Sequence, residues 1–130
     1  MSIKRQFDIN SVAPIIVVGE FLDNLKKGSK IIMVTSRMGS IADNSSGARY
    51  GYRMSKAALN AASKSLAIDL LPREISVGVF HPGWVKTQMT NFTGNVEAED
   101  SASMIRKLID NLSVENSGKF YHANGEELPW

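Results

Sequence analysis

The stretch Ile31-Ile32-Met33-Val34 is an unbroken apolar run, and it indicates the class of fold more strongly than any other part of the chain. Unbroken runs of this length are typical of strands buried on both faces, as in parallel sheets. A second such run spans residues 75–80, and a short third strand is predicted at residues 118–122. Helical patterns over residues 50–71 and 97–112 separate the three runs. The sequence therefore predicts an α/β fold, a Rossmann-type parallel sheet with flanking helices.

The chain begins with a helical pattern over residues 2–27, which Pro14 interrupts. Proline cannot donate a hydrogen bond to the carbonyl four residues earlier, which belongs to Asn10. Either a new helix begins near Asn10 or Ser11, or a single helix bends there. Gly28 is expected to end the helix. A chain that opens on a helix leaves its first strand as a sheet edge, so the fold is expected to be truncated at its amino-terminal side.

The segments between these elements are predicted to be loops. Residues 36–49 and 82–95 are rich in turn-forming residues, and the tail 123–130 is expected to be irregular. Neither a linker nor an internal repeat interrupts the pattern. We therefore expect one domain over residues 1–130.

Composition excludes several classes of function. Fifteen basic and thirteen acidic residues in 130 are mixed along the chain, which argues against a nucleic-acid partner. The chain has no cysteine, which excludes disulfides and thiol chemistry. His81 and His122 show no metal-ligand spacing, so no metal is expected. No apolar run is long enough to span a membrane, and no signal peptide is apparent, so we expect a cytoplasmic protein that does not bind membranes.

Tyr52 and Lys56 are the first candidates for chemistry. They stand four residues apart on a predicted helix and so share a face. An ammonium group beside a phenol favours the phenolate, which makes a tyrosine a usable general acid and base. The same spacing also occurs in ordinary surface pairs, so the pair alone does not define a site.

Ser36 and Asn10 are weaker candidates. Ser36 follows the first strand, at the sheet edge where parallel sheets bind ligands, and its hydroxyl could donate to a substrate oxygen. It could equally cap a turn. The Asn10 carbonyl lacks its usual helical partner and could hold a water molecule, while the alternative is a helix-capping asparagine.

The segment 82–87, Pro-Gly-Trp-Val-Lys-Thr, follows the second strand at the same predicted edge. It could present backbone groups and the Thr87 hydroxyl to a ligand, or merely turn the chain.

Three stretches, taken in this order, resemble the second half of a short-chain dehydrogenase/reductase. They are residues 33–40 (MVTSRMGS), 52–60 (YRMSKAALN) and 81–87 (HPGWVKT). The subgroup that the chain resembles most is that of the C-factor and sniffer-type carbonyl reductases, through residues 39–44 and the ending 118–130. The sixteen residues between Ser36 and Tyr52 are a long gap for the family and agree with this subgroup.

The resemblance implies a function and a set of roles. It implies hydride transfer between NAD or NADP and a small carbonyl or alcohol substrate. Tyr52 would exchange a proton with the substrate oxygen, Lys56 would assist Tyr52 and bind the nicotinamide ribose, and Ser36 would polarise the carbonyl. The Asn10 carbonyl would hold a water that links Lys56 to solvent. Pro82, Gly83, Val85 and Thr87 would border the nicotinamide, with Val85 and Thr87 at its carboxamide.

One departure from the family is serious. The glycine-rich loop that holds the cofactor phosphates is absent, since Gly47 and Gly51 form only a G-x-x-x-G outside a strand-to-helix turn. The alternative is thus a non-catalytic fragment that acts as a signalling or interaction module. A hydrolase that uses Ser36 has little support, because no G-x-S-x-G surrounds it. The resemblance also implies a homo-oligomer formed through the helices at 10–27 and 50–71.

Overall fold

The computed structural model describes all residues from Met1 to Trp130. Its helices and strands are α1 (Ile3–Phe7), a π-helical turn (Asp8–Val12), α2 (Ala13–Phe21), β1 (Lys30–Val34), α3 (Tyr50–Leu70), β2 (Ser76–His81), α4 (Ala98–Asn111) and β3 (Phe120–His122). Short 3-10 turns lie at Leu22–Asn24, Arg37–Gly39, Leu71–Arg73 and Gln88–Thr90. No helix combines the length and the apolar composition that a membrane span requires.

The three strands form one parallel sheet in the order β1-β2-β3. Strand β2 lies in the centre, with Lys30 to Val34 of β1 paired to Ser76 to Phe80. On its other side, Val79 to His81 pair with β3. The predicted Rossmann-type parallel sheet with flanking helices is confirmed, and β1 lies at an open edge as expected.

The hydrophobic core lies between the sheet and α3. Val77 and Val79 of β2 are fully buried, and Leu59 and Ala67 of α3 belong to the same cluster. Helix α3 presents this apolar side to the strands because its small and apolar residues recur at helical spacing. Its packing fixes where the polar residues of its first two turns lie.

The amino-terminal helix continues through Asn10 and Ser11 and does not restart there. Ser2 caps α1, and the π-helical turn then carries the helix into α2, with the Ala13 N–H bonded to the Asp8 carbonyl five residues earlier. A π turn is one of the known ways in which a helix accommodates an interruption. Asn10 lies within this turn, so it is not a helix cap.

The prediction that Gly28 ends this helix is wrong. The last helical turn ends at Asn24, and Leu25 is already extended. The Arg73 guanidinium donates to the carbonyls of Leu22 and Leu25, at 3.3 and 2.9 Å, and so satisfies the end of the helix from another part of the chain. Sequence spacing could not reveal this partner.

The carboxyl-terminal segment differs in detail from expectation. Strand β3 begins at Phe120, because Gly118 has a φ of 73°, which is incompatible with an extended strand. The tail has no regular element, as predicted, yet it is held in place. The Trp130 carbonyl accepts hydrogen bonds from the Ile41 and Ala42 amides, and its indole stacks on Phe120.

Candidate functional site

Ser36 lies at the carboxyl end of β1, where the chain turns into the 3-10 turn Arg37–Gly39. Its hydroxyl oxygen accepts a hydrogen bond from the Met38 amide at 3.1 Å, and the side chain is buried. The turn-capping interpretation is therefore confirmed. This bond uses the oxygen, so the hydroxyl hydrogen remains available to an acceptor.

Tyr52 and Lys56 lie on the first two turns of α3, both half-buried. The Lys56 Nζ is 5.9 Å from the centre of the Tyr52 ring and donates to the Val34 carbonyl at the end of β1, at 3.3 Å. Burial lowers the pKa of Lys56 from its usual value, because a low-dielectric environment disfavours the charged form. The two side chains are thus placed beside the carboxyl end of β1.

The turn after Ser36 packs directly on α3. A Cβ added to Gly39 would come within 2.8 Å of the Lys56 carbonyl carbon, so only glycine permits this approach. Next to it, the Thr35 hydroxyl donates to the Asn60 Oδ1 at 2.6 Å, with both residues buried. These two contacts fix the Ser36 segment against the helix that carries Tyr52 and Lys56.

The sequence interpretation missed Asn60, although a signal for it exists. Tyr52, Lys56 and Asn60 follow each other at intervals of four residues and share one helix face. A polar residue that continues such a face into a buried region requires a partner. Thr35, which precedes Ser36, is that partner.

Asn10 approaches the same helix from the other side. Its side-chain amide donates to the Ser55 Oγ at 3.0 Å, and Ser55 in turn donates to the Tyr52 carbonyl at 2.8 Å. Ser55 is fully buried. The structure therefore links Asn10 to α3 through Ser55, a residue that the sequence interpretation did not single out.

The segment 82–87 leaves the carboxyl end of β2. Gly83 turns the chain at a φ of 91°, Val85 forms an isolated bridge with Val96, and Thr87 caps the following 3-10 turn through a reciprocal bond with Thr90. Pro82 is half-buried. The segment lies at the same edge of the sheet as Ser36, Tyr52 and Lys56, and no hydrogen bond joins it to them.

Two histidines occupy the end of the sheet beside this segment. His81 and His122 lie edge to face with ring centres 5.1 Å apart, near the Arg37–Asp43 ion pair. Burial, then His122 and Arg37, lower the pKa of His81 to about 4, against the opposing effect of Asp43. The His81 Nδ1 is buried without a hydrogen-bond partner, which fits a neutral ring. Only the parallel pairing of β2 with β3 brings these residues together.

The fold and this arrangement define a class of protein. The parallel sheet with helices on its flanks is that of a Rossmann-type α/β protein, a fold in which ligands generally bind at the carboxyl ends of the strands, where these polar side chains lie. The family model described as short chain dehydrogenase matches residues 1–98. The chain belongs to the short-chain dehydrogenase family, and the resemblance found in the sequence is confirmed.

Individual relatives support this assignment. The chain is 43% identical to the C-signal of Myxococcus xanthus over 97% of its own length and 77% of that protein. It is 41% identical to 1-hydroxy-2-glutathionyl-2-methyl-3-butene dehydrogenase of a Rhodococcus strain, over 98% of this chain and 58% of that one.

Solved structures agree. Carbonyl reductase Sniffer of D. melanogaster matches with a TM-score of 0.89 and 35% identity, over 95% of this chain and 55% of that one. An NADPH-bound carbonyl reductase from chicken fatty liver matches with a TM-score of 0.85 and 31% identity, over 98% and 57% of the two chains. The chain thus spans little more than half the length of these enzymes.

Proposed function

We propose that this chain supplies the residues that transfer the proton in an NAD(P)-dependent oxidoreductase. The enzyme would act on a small carbonyl or alcohol substrate. One observation carries the proposal: Tyr52 and Lys56 lie beside the carboxyl end of β1, and the turn that follows Ser36 packs on their helix. Membership of the short-chain dehydrogenase family and similarity to two carbonyl reductases support the reaction class.

In the direction of reduction, the Tyr52 hydroxyl donates its proton to the substrate oxygen as that oxygen gains negative charge. The Ser36 hydroxyl donates a hydrogen bond to the same oxygen and stabilises the charge. Lys56, held between Tyr52 and the Val34 carbonyl, favours the phenolate that remains.

Asn10 completes the path for the proton. Its side chain is anchored to α3 through Ser55, which leaves its main-chain carbonyl as the group proposed to hold a water molecule between Lys56 and solvent. Such a water would return a proton to Tyr52 by way of Lys56 after each turnover. The π-helical turn sets the position of this carbonyl.

The hydroxyl of Tyr52 and the ammonium group of Lys56 are hydrogen-bond donors suited to the nicotinamide end of NAD or NADP. Lys56 is proposed to bind the nicotinamide ribose hydroxyls, together with Tyr52, and the segment with Pro82, Gly83, Val85 and Thr87 to border the ring. When bound, the nicotinamide supplies the hydride. Residues 1–130 contain no glycine-rich strand-turn-helix for the pyrophosphate, so they offer only part of a dinucleotide site.

We also propose a cytoplasmic homo-oligomer that associates through helices 10–27 and 50–71. Exposed apolar side chains on both helices support this, among them Val12, Ile16 and Ile68, which are 39, 58 and 60% exposed.

A second candidate function is a non-catalytic signalling or interaction module. The 43% identity to a protein named C-signal over 97% of this chain favours it. The two candidates differ in whether Tyr52 is needed for activity.

The test uses a fusion that adds the amino-terminal part of the fruit-fly carbonyl reductase before Met1. We expect this fusion to oxidise NADPH in the presence of small aldehydes, and Tyr52→Phe to lower its kcat at least about a hundredfold, the contribution usual for a general acid. Tyr50→Phe is the matched control, since Tyr50 is 74% exposed two residues earlier and should leave kcat unchanged. Equal loss in both variants, or none in either, would refute the proton-transfer role.

A further inference from the structure

Helix α3 begins without a side-chain cap. Its N-cap residue is Arg49, whose side chain accepts no hydrogen bond from the helix. The first amides of a helix have no acceptor within it, so a turn without a cap frays more readily than a capped one. Tyr52, to which the proton transfer is assigned, lies in this first turn. Its position therefore depends on what else holds the start of α3.

The three residues before α3 share a left-handed backbone conformation. The φ angle is 68° at Gly47, 59° at Ala48 and 54° at Arg49. Glycine adopts such angles freely, whereas in the other two residues the Cβ atom crowds the backbone. Residues other than glycine keep this conformation only where their surroundings hold it. The segment thus requires a contact that fixes its carbonyl groups.

The side chain of Arg53 makes this contact. Its Nε donates to the carbonyls of Gly47 and Ala48, at 3.2 and 3.1 Å. Its Nη2 donates to the Ser46 Oγ at 3.0 Å. Arg53 follows Tyr52 directly in the sequence, so a single side chain ties residues 46–49 to the helical turn that carries Tyr52.

We propose that Arg53 is a positioning residue, which holds Tyr52 in place for proton transfer by fixing residues 46–49 to the start of α3. This inference rests on the proposed function, because that function assigns the proton to Tyr52. Proton transfer requires the phenol oxygen within hydrogen-bond reach of the substrate oxygen. The Nε and Nη2 atoms of Arg53 are bound within the segment, so Arg53 acts through Tyr52 and not on the substrate.

The contact requires the shape of the guanidinium group and not only its charge. Donors on two different nitrogens reach two carbonyls and a hydroxyl at once, which the compact ammonium group of a lysine does not reproduce. Arg53→Lys should therefore be nearly as impaired as Arg53→Met, which removes all the donors. If Arg53→Lys keeps the parent activity while Arg53→Met loses it, Arg53 acts through its charge and the proposal is wrong.

The first experiment measures kcat and KM in the fusion with the fruit-fly amino-terminal part. A displacement of about 1 Å can lower a rate about a hundredfold, so we expect a partial loosening of Tyr52 to lower kcat about tenfold in Arg53→Met and Arg53→Lys. The KM for NADPH should change less than about twofold, because Lys56 lies one turn further into α3 and keeps its bond to the Val34 carbonyl.

Tyr52→Phe distinguishes failure of this inference from failure of the proposed function. A loss of kcat in Tyr52→Phe with none in Arg53→Met would remove the positioning role and leave the proposed function intact. An unchanged kcat in Tyr52→Phe would remove both, and that variant shows it without reference to Arg53.

A glycine substitution separates positioning from other causes of lost activity. Ala48→Gly, added to Arg53→Met, should restore at least about half of the parent kcat, because glycine adopts the left-handed conformation without the guanidinium group. Ser45→Gly in the same background is the matched control, since the φ of Ser45 lies outside the left-handed region, and it should restore nothing. Equal recovery with both glycines, or none with either, would contradict the proposal.

Amide exchange by NMR on the 130-residue chain tests the contact without an activity measurement. The main-chain amide of Arg53 donates to the Arg49 carbonyl at 3.0 Å, in the first turn of α3. Arg53→Met should make this amide exchange about tenfold faster, and the added Ala48→Gly should slow it again. The amide of Val77, in the buried strand β2, should be unaffected. Unchanged exchange at residue 53, or an equal increase at Val77, would overturn the proposal.

Discussion

Strands β1 and β2 have similar apolar sequences but different surroundings. Residues Ser76 to Phe80 of β2 are all buried, whereas β1 alternates and leaves Lys30 and Val34 exposed. The alternation means that one face of β1 is covered and the other is open, whereas both faces of β2 are covered. Strand β1 also has a neighbouring strand on one side only. An apolar run thus predicts that a strand is buried. Only the elements packed around the strand in the structure show whether it is buried on both faces.

The comparison predicts its largest effect on the free energy of unfolding, when a valine in each strand is replaced by alanine. Val77→Ala in β2 removes methyl groups from a fully buried position and should lower the free energy of unfolding by about 2–3 kcal/mol. Val34→Ala in β1, at a side chain that is 52% exposed, should change it by less than about 0.5 kcal/mol. Urea denaturation measures both, and equal losses would mean that β1 is as enclosed as β2.

A smaller loss in the free energy of unfolding is expected at Thr35, directly after β1. This residue is buried, although β1 itself has an open edge. Thr35→Val removes the hydroxyl that donates to Asn60 and leaves a buried amide side chain without a partner, since the Asn60 Nδ2 already has none. The expected cost is about 1–3 kcal/mol. Thr35→Ser keeps the hydroxyl and should recover most of the loss. If the two variants are equally stable, the Thr35–Asn60 hydrogen bond does not hold this segment to α3.

The smallest effect concerns the end of β2, where the buried strand reaches the surface at His81. Its pKa is lowered from 6.5 to about 4 in the folded chain, first by burial and then by His122 and Arg37. The unfolded chain therefore binds the proton more readily, so stability is fully present above pH 6.5 and falls as the pH drops towards 4. Because the ring is partly exposed, we expect a loss of about 1 kcal/mol.

Urea midpoints measured between pH 4 and 7 test this dependence. His81→Asn should flatten the curve across that window. A stability that rises as the pH falls would show that His81 is charged in the folded chain. His122 has a pKa lowered by burial as well, so some slope should remain in the variant.

The sequence predicted the order of helices and strands and the parallel sheet because each element has its own periodicity. It located Tyr52 and Lys56 because residues four apart share a helix face. It could not locate the end of the first helix, which depends on Arg73, nor the pairing of His81 with His122, which depends on the order of the strands. The turn-capping bond of Ser36 could be seen only in the coordinates, and it leaves the hydroxyl hydrogen free for the proposed bond to the substrate.

The central proposal is that Tyr52, Lys56 and Ser36 transfer the proton in a short-chain dehydrogenase, and that residues 1–130 by themselves do not hold the cofactor phosphates. Isothermal titration of NADPH into the 130-residue chain and into the fusion with the fruit-fly amino-terminal part tests it directly. Pyrophosphate held at a helix amino terminus contributes much of dinucleotide affinity, so the fusion should bind at least about a hundredfold more tightly. Equal affinity in the two proteins would contradict the claim, because residues 1–130 would then hold the dinucleotide by themselves.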